Sequence, residues 1–259
     1  MSGRLDHLIW TARHSVRPPV YLFGTMHLDC DLFPELQERC LRLVESIDLL
    51  ATEIDLESME NTAFPMLEQG IQDHLSPQQY ERLRDQLIRF FEFDLLPWDR
   101  VPPIFIYQFL IEKILPKAAG KPVDHFVWRL AEERGKKRTG LETLERQMEI
   151  ASHLDFSWQI KSLKSIARSP QRFRRMIGEM VAGYRLERLP QLYRSSKKQL
   201  GPYRKLMLYD RNKVMFSVME DLIGDQIVLV AVGAAHLWGH YGLLRLIKQA
   251  GYRVSPWKG

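Results

Sequence analysis

Cysteine is almost missing from this chain: Cys30 and Cys40 are the only two among 259 residues. They form no CxxC pair, so a disulfide-stapled fold and a thiolate zinc cluster are excluded, and both side chains read as reduced thiols. Long apolar runs are missing too. The longest, Ile227 to Leu237, is interrupted by Gly233 and carries His236, far short of the ~20 residues that cross a bilayer. The N-terminal stretch MSGRLDHLIWTARHS holds only three consecutive apolar residues, too few for a signal-peptide core. These absences predict a cytoplasmic chain with no integral membrane segment. Four common signatures are also absent: GxxxxGK[ST], GxGxxG, HExxH and GxSxG. Phosphate-loop, dinucleotide, zincin and serine-hydrolase assignments fall with them.

The charge that is present is unevenly spread. Net charge is +5, yet Trp158 to Val214 holds 15 Lys/Arg against 3 Asp/Glu, which leaves 22 against 29 for the remainder. Such a basic block can bind phosphates or an anionic surface. No nucleic-acid motif accompanies it, so it reads as solvated helix faces and no nucleic-acid partner is expected.

Hydrophobic periodicity gives the organisation. Val20-Tyr-Leu-Phe reads as a strand ending at Gly24. Pro34 opens a helix with Leu36, Cys40, Leu43, Val44 and Ile47 at helical spacing. Leu49 to Ile54 reads as a second strand, which makes a βαβ unit with parallel strands. Helices follow: Ser76 to about Phe91 with a Ser76/Gln79 capping signature, Ile104 to Leu115, Val123 to Arg134, and Leu144 to His153. Lys137 to Leu141 is a weak strand between them. One long helix is expected from Tyr203 to Leu222. The apolar run Gln226 to Val232 predicts a strand buried on both faces, followed by a helix from about Trp238 to Ala250 and a short strand at Tyr252-Arg-Val. The expected fold is therefore α/β: a mainly parallel sheet built by residues 1–56 and 223–259, with a large helical insertion at 57–222 that returns one core strand near 137–142, all within one domain of 1–259.

Two segments stand out chemically. Gly24-Thr-Met-His27 and Gly233-Ala-Ala-His236 are both GxxH, and each directly follows a strand expected to be buried. In an open parallel sheet, ligands bind at the C-terminal strand ends, and glycine lets the backbone turn there. The second strand delivers Glu53 and Asp55 to the same zone, and their alternation puts both on the same side. The weak fourth strand delivers Glu142. Two imidazoles and a carboxylate suit Zn, Mn or Co with a position left for water. The metal set expected is thus His27, Glu53 and His236. Arg211, in Tyr209-Asp210-Arg211-Asn212, is either a surface salt link or a group that reaches the site and steadies an oxyanion. Asp55 is as suited to capping its loop as to catalysis. His7, His14, His74, His125 and His153 have no supporting pattern, and His240 reads as solvent-facing.

Taken together, these residues resemble the TraB/PrgY/GumN family, which includes the Tiki metalloproteases. The resemblance runs through Tyr21-Leu-Phe-Gly-Thr-Met-His27, Glu53-Ile-Asp55-Leu56, Pro97-Trp98, Val123-Asp124, Gly140-Leu-Glu142-Thr143 with Gln147, Arg211-Asn212, and Val232-Gly233-Ala-Ala-His236-Leu237, then Gly242-Leu-Leu and Gly251-Tyr252. It implies an α/β core related to erythromycin-esterase-like and ChaN-like folds, and a metal-dependent hydrolase, of peptidase type, with His27, Glu53 and His236 at its centre. Asp55 or Glu142 would then move the proton of a metal-bound water. Some members regulate peptide pheromones, so a peptide-sequestering module without cleavage is the alternative, and an esterase-type hydrolase a weaker one. The expected partner is a peptide or small-molecule substrate, and a homodimer is compatible with the sequence.

Overall fold

The computed structural model describes residues 6–58 and 66–259; the first five residues of the N-terminal stretch read above lie outside them. Six strands form one sheet: β1 (Ile9–Arg13), β2 (Val20–Thr25), β3 (Leu49–Thr52), β4 (Lys137–Gly140), β5 (Val228–Gly233) and β6 (Arg253–Pro256). Their order is β4-β3-β5-β2-β1-β6. The four strands from β4 to β2 pair in parallel. β1 pairs antiparallel with both β2 and β6. The sheet is thus mixed, with a parallel half and an antiparallel edge, which corrects the mainly parallel expectation at that edge.

β5 is buried from Val228 to Val232, as its unbroken apolar run requires. β1 was not expected as a strand. Ile9, Trp10, Thr11 and Ala12 are all buried, so the segment carries no polar alternation that would announce a strand. A pair of prolines, Pro18 and Pro19, separates it from β2 and suits the turn between antiparallel neighbours.

The chain divides into two compact units. One comprises Met1–Glu60, Pro116–Gln147 and Met180–Gly259, and it contains the whole sheet; the other comprises Asn61–Leu115 and Met148–Glu179. In the first, the helix Pro34–Glu45 buries Leu36, Cys40, Leu43 and Val44, the face that the periodicity marked. In the second, Ser76 caps the helix Pro77–Phe91 through the Gln79 N–H, and Glu92 ends it in the left-handed region. Asp155 caps the helix Phe156–Arg168 in the same way. No helix among the described residues is long and apolar enough to cross a membrane.

Two helices depart from expectation. The segment read as one helix over Tyr203 to Leu222 is a π-helical turn, Lys205–Asp210, followed by the α-helix Arg211–Leu222. The helix expected from Trp238 is two pieces, Ala234–Leu237 and Leu243–Gln249. Between them Gly239 adopts φ +97, a backbone that L side chains rarely take.

Candidate active site

The parallel register brings the ends of four strands to one sheet edge. Thr52 stands opposite Ala231 on one side and Gly140 on the other, and Thr25 stands opposite Gly233. The ladder between β3 and β4 continues past the strands, because Leu141 N–H donates to Thr52 O at 2.8 Å and Glu142 N–H donates to Glu53 O at 2.9 Å. Glu53 and Glu142 therefore leave the sheet side by side. β3 itself stops at Thr52, two residues earlier than expected: the Thr52 hydroxyl donates to Ile54 O at 2.6 Å and bends the chain. The alternation that would align Asp55 with Glu53 ends there. Asp55 instead accepts the Glu57 N–H at 2.9 Å and closes its own turn.

Arg211 joins the two glutamates. Its Nη2 donates to Glu53 Oε2 at 2.7 Å and its Nε to Glu142 Oε1 at 2.9 Å; Nη2 also contacts Glu142 Oε1. Gln147 adds a donor to Glu142 Oε1 at 3.0 Å. Arg211 is the first residue after the π-helical turn, a feature that is frequent at functional sites. Burial opposes charge on the guanidinium, but the two carboxylates outweigh it and keep Arg211 protonated. Burial likewise pushes the Glu53 carboxyl up. His236, Arg211 and the Gly233 N–H, which donates to Glu53 Oε1 at 2.7 Å, together pull it down to about 2.

The next residue, Asn212, orients His236. Its Nδ2 donates to Tyr241 O at 2.7 Å and to His236 O at 3.2 Å. An amide that donates twice from nitrogen presents its oxygen as the acceptor. That oxygen lies 2.5 Å from His236 Nδ1, so the proton sits on Nδ1 and the lone pair on Nε2. Burial pushes the imidazole down to about 4, with the Glu53 carboxylate opposing and Arg211 adding to the fall. His236 is neutral at pH 7. Its Nε2 faces Glu53 Oε1 at 3.7 Å. Two lone-pair atoms facing each other, one on an ionised carboxylate, match the donor set that a divalent ion takes.

Both motif glycines have a spatial reason. A Cβ on Gly24 would lie 3.1 Å from Ala234 Cα and 3.2 Å from Leu237 Cδ1, so the first motif leaves room for the turn of the second; a Cβ on Gly233 would lie 2.9 Å from Glu53 Oε1. Glu53 is pinned by Arg211 and the Gly233 N–H and cannot simply rotate away. We expect Gly233→Ala to cost roughly 1–3 kcal/mol, the usual range for overpacking, measured by urea denaturation. A variant as stable as the parent would show that the carboxylate gives way freely.

His27 lies in a second group. Its Nδ1 is 3.3 Å from Asp124 Oδ2, with side-chain exposures of 47% and 28%, and its ring meets His125 edge-on at 5.7 Å. Asp124 and His125 belong to the first turn of the helix Val123–Glu133. The start of that helix is tied to the segment after His27 by Val123 N–H to Leu28 O at 2.9 Å and Cys30 N–H to Lys121 O at 2.8 Å. Among the described residues, two groups bring three metal-capable atoms within 4.8 Å of one another: His27, Asp124 and His125, and Asp29, Cys30 and Asp31. The second is engaged internally, since Asp29 accepts the Asp31 and Ala118 N–H groups and Asp31 accepts from Gln37.

The structure thus brings Glu53, Glu142, Arg211 and His236 together, places Asp55 on its own turn, and sets His27 beside Asp124 and His125. Asn212, Asp124 and His125 were not among the expected site residues. The signals were present: Asn212 follows Arg211, and Asp124 follows Val123, in two of the quoted motif segments.

The model of the TraB/PrgY/gumN family matches residues 8–256. The chain belongs to this family. Metalloprotease TIKI2 of Danio rerio is 24% identical to it over 318 residues, covering 97% of this chain and 61% of the relative. The chain therefore spans less than two thirds of that relative's length. Among the described residues, His27, Asp124 and His125 form a His/Asp group that could hold a metal ion.

Proposed function

We propose that the protein is a metal-dependent hydrolase of peptides that takes a divalent ion, Zn, Mn or Co, at Glu53 and His236, with His27, the third residue of the expected set, standing beside Asp124 and His125. The observation that carries this reading is the pair of facing acceptors, His236 Nε2 and Glu53 Oε1, at 3.7 Å. The likeness to a metalloprotease supports it. A divalent ion held there would supply Lewis acidity and would lower the pKa of a bound water toward about 7.

The chain's own groups have separable tasks in this reading. Glu53 keeps its negative charge because Arg211 and the Gly233 N–H hold it. Arg211 also sets a fixed positive charge beside the reacting carbonyl, where it steadies the oxyanion as charge develops. Of the two carboxylates expected to move the proton, Glu142 is held at Oε1 by Arg211 and Gln147, whereas Asp55 has one backbone N–H on Oδ1. Glu142 is the one of the two that stands beside Glu53 and Arg211.

The test is elemental analysis of protein purified without chelator, beside His27→Ala and His236→Ala, with mass spectrometry of a peptide library after incubation. Expected are metal in the parent, cleaved peptides, and loss of both in the variants with the fold retained. Full cleavage by a metal-free variant overturns the proposal. Intact peptides that co-purify with the protein favour sequestration instead.

A further inference from the structure

We infer that Asp124 and Asn212 are matched positioning residues that fix which nitrogen of each GxxH histidine is left free to bind a metal ion. The inference rests on the hydrolase reading above and adds two residues to it. Asn212 Oδ1 meets His236 Nδ1 at 2.5 Å, and Asp124 Oδ2 meets His27 Nδ1 at 3.3 Å. A carboxylate can only accept, so the His27 proton also sits on Nδ1. The same tautomer results twice, by two different acceptors.

The placement repeats as well as the chemistry. Asp124 is the second residue of the helix Val123–Glu133, and Asn212 is the second residue of the helix Arg211–Leu222. Each histidine lies just past the end of a strand, three residues after a glycine, and the two strands, β2 and β5, are parallel neighbours. Metal-binding histidines commonly donate their second N–H to a carboxylate or carbonyl, which fixes the ring and raises its basicity as a ligand. The two acceptors are set in different ways. Asn212 is 1% exposed and anchored on two backbone carbonyls. Asp124 Oδ1 is buried and meets no hydrogen-bond partner among the described residues, which leaves the carboxylate turned toward His27. An aspartate serving only to cap its helix would give its oxygens to backbone N–H groups.

The experiment is a Co²⁺ titration of metal-free protein, followed by visible d–d absorption and paired with a urea melt of each variant. Asp124→Ala and Asn212→Ala should each weaken Co²⁺ binding by about 10- to 100-fold. Asp124→Asn and Asn212→Asp restore an acceptor for Nδ1–H and should recover most of that loss. Asn212→Asp is the sharper of the two. It cannot donate to the Tyr241 and His236 carbonyls, so its stability should stay low while its affinity returns. A merely structural role moves stability and affinity together, and that result overturns the inference. Unchanged affinity in both alanine variants overturns it too, with the hydrolase reading intact. Loss of Co²⁺ on His125→Ala, with both alanine variants still binding, assigns the ion to a different ligand set and overturns it as well. If the parent takes up no Co²⁺, both readings fall. Should Asn212→Ala not fold, the Asp124 pair decides.

Discussion

Replacing Arg211 by leucine should cost about 3–5 kcal/mol, the penalty for leaving a buried charge without its partner. Arg211 is 11% exposed at its side chain and Glu142 only 2%. Both glutamates leave adjacent strands, and the backbone bond from Glu142 N–H to Glu53 O fixes their closeness. Without the guanidinium, two carboxylates share a nearly dry site, where like charges repel strongly. Glu53 would then lose a main cause of its lowered pKa and take up a proton more readily. Arg211→Lys should recover only part of the loss. A lysine offers one compact ammonium, whereas the planar guanidinium spreads Nε and Nη2 over two carboxylates at once. Urea denaturation at pH 7 reads the outcome. A loss below about 1 kcal/mol for the leucine variant would mean that water, not Arg211, compensates the carboxylates, the behaviour of an exposed pair.

The same cluster explains what could be read in the residue string. Strand ends, the two GxxH segments, Glu53 and Glu142 were legible because a buried parallel strand is an apolar run and a glycine marks where it stops. The meeting of Glu53 with Glu142 was legible only as a zone. Its cause is a ladder continued by two backbone bonds, which no side-chain pattern encodes. Asp55 misled because alternation was carried two residues too far, past a bend made by the Thr52 hydroxyl. The sequence alone offers Arg211 as an oxyanion group or a surface link. Its clamp on two glutamates depends on partners 158 and 69 residues away. The motif marks Asn212 beside Arg211, but its role is defined by carbonyls 24 and 29 residues away. The π-helical turn before Arg211 shifts the phase of the residues after it, a shift that periodicity alone does not reveal, so the sequence suggests one straight helix. β1 escaped because a strand buried on both faces, five residues long, has no period to detect.

Acid should unfold the metal-free protein in two stages, and the first belongs to His236. Its folded pKa of about 4 lies below its ordinary 6.5. Between those values the unfolded chain binds a proton at this imidazole and the folded chain does not. Stability is therefore full above pH 6.5 and declines as pH falls toward 4. A difference of that size corresponds to roughly 3 kcal/mol at most. Glu53 acts in the same direction but lower, between its ordinary 4.5 and about 2, because the unfolded carboxylate protonates first. The two windows barely overlap, so they can be separated. In EDTA-treated protein, urea-derived stability should fall steadily from pH 7 to pH 4. In His236→Gln that decline should be markedly shallower, whatever the variant's absolute stability, since glutamine has no proton to take up. Glu53→Gln should leave the pH 6.5 to 4 decline in place and make the His236 share of it steeper near pH 4, since the carboxylate that favoured the imidazolium is gone. Equal slopes for the parent and His236→Gln would show that the buried imidazole protonates as easily folded as unfolded, which a ring enclosed beside a guanidinium and tied at Nδ1 to an amide oxygen should not do.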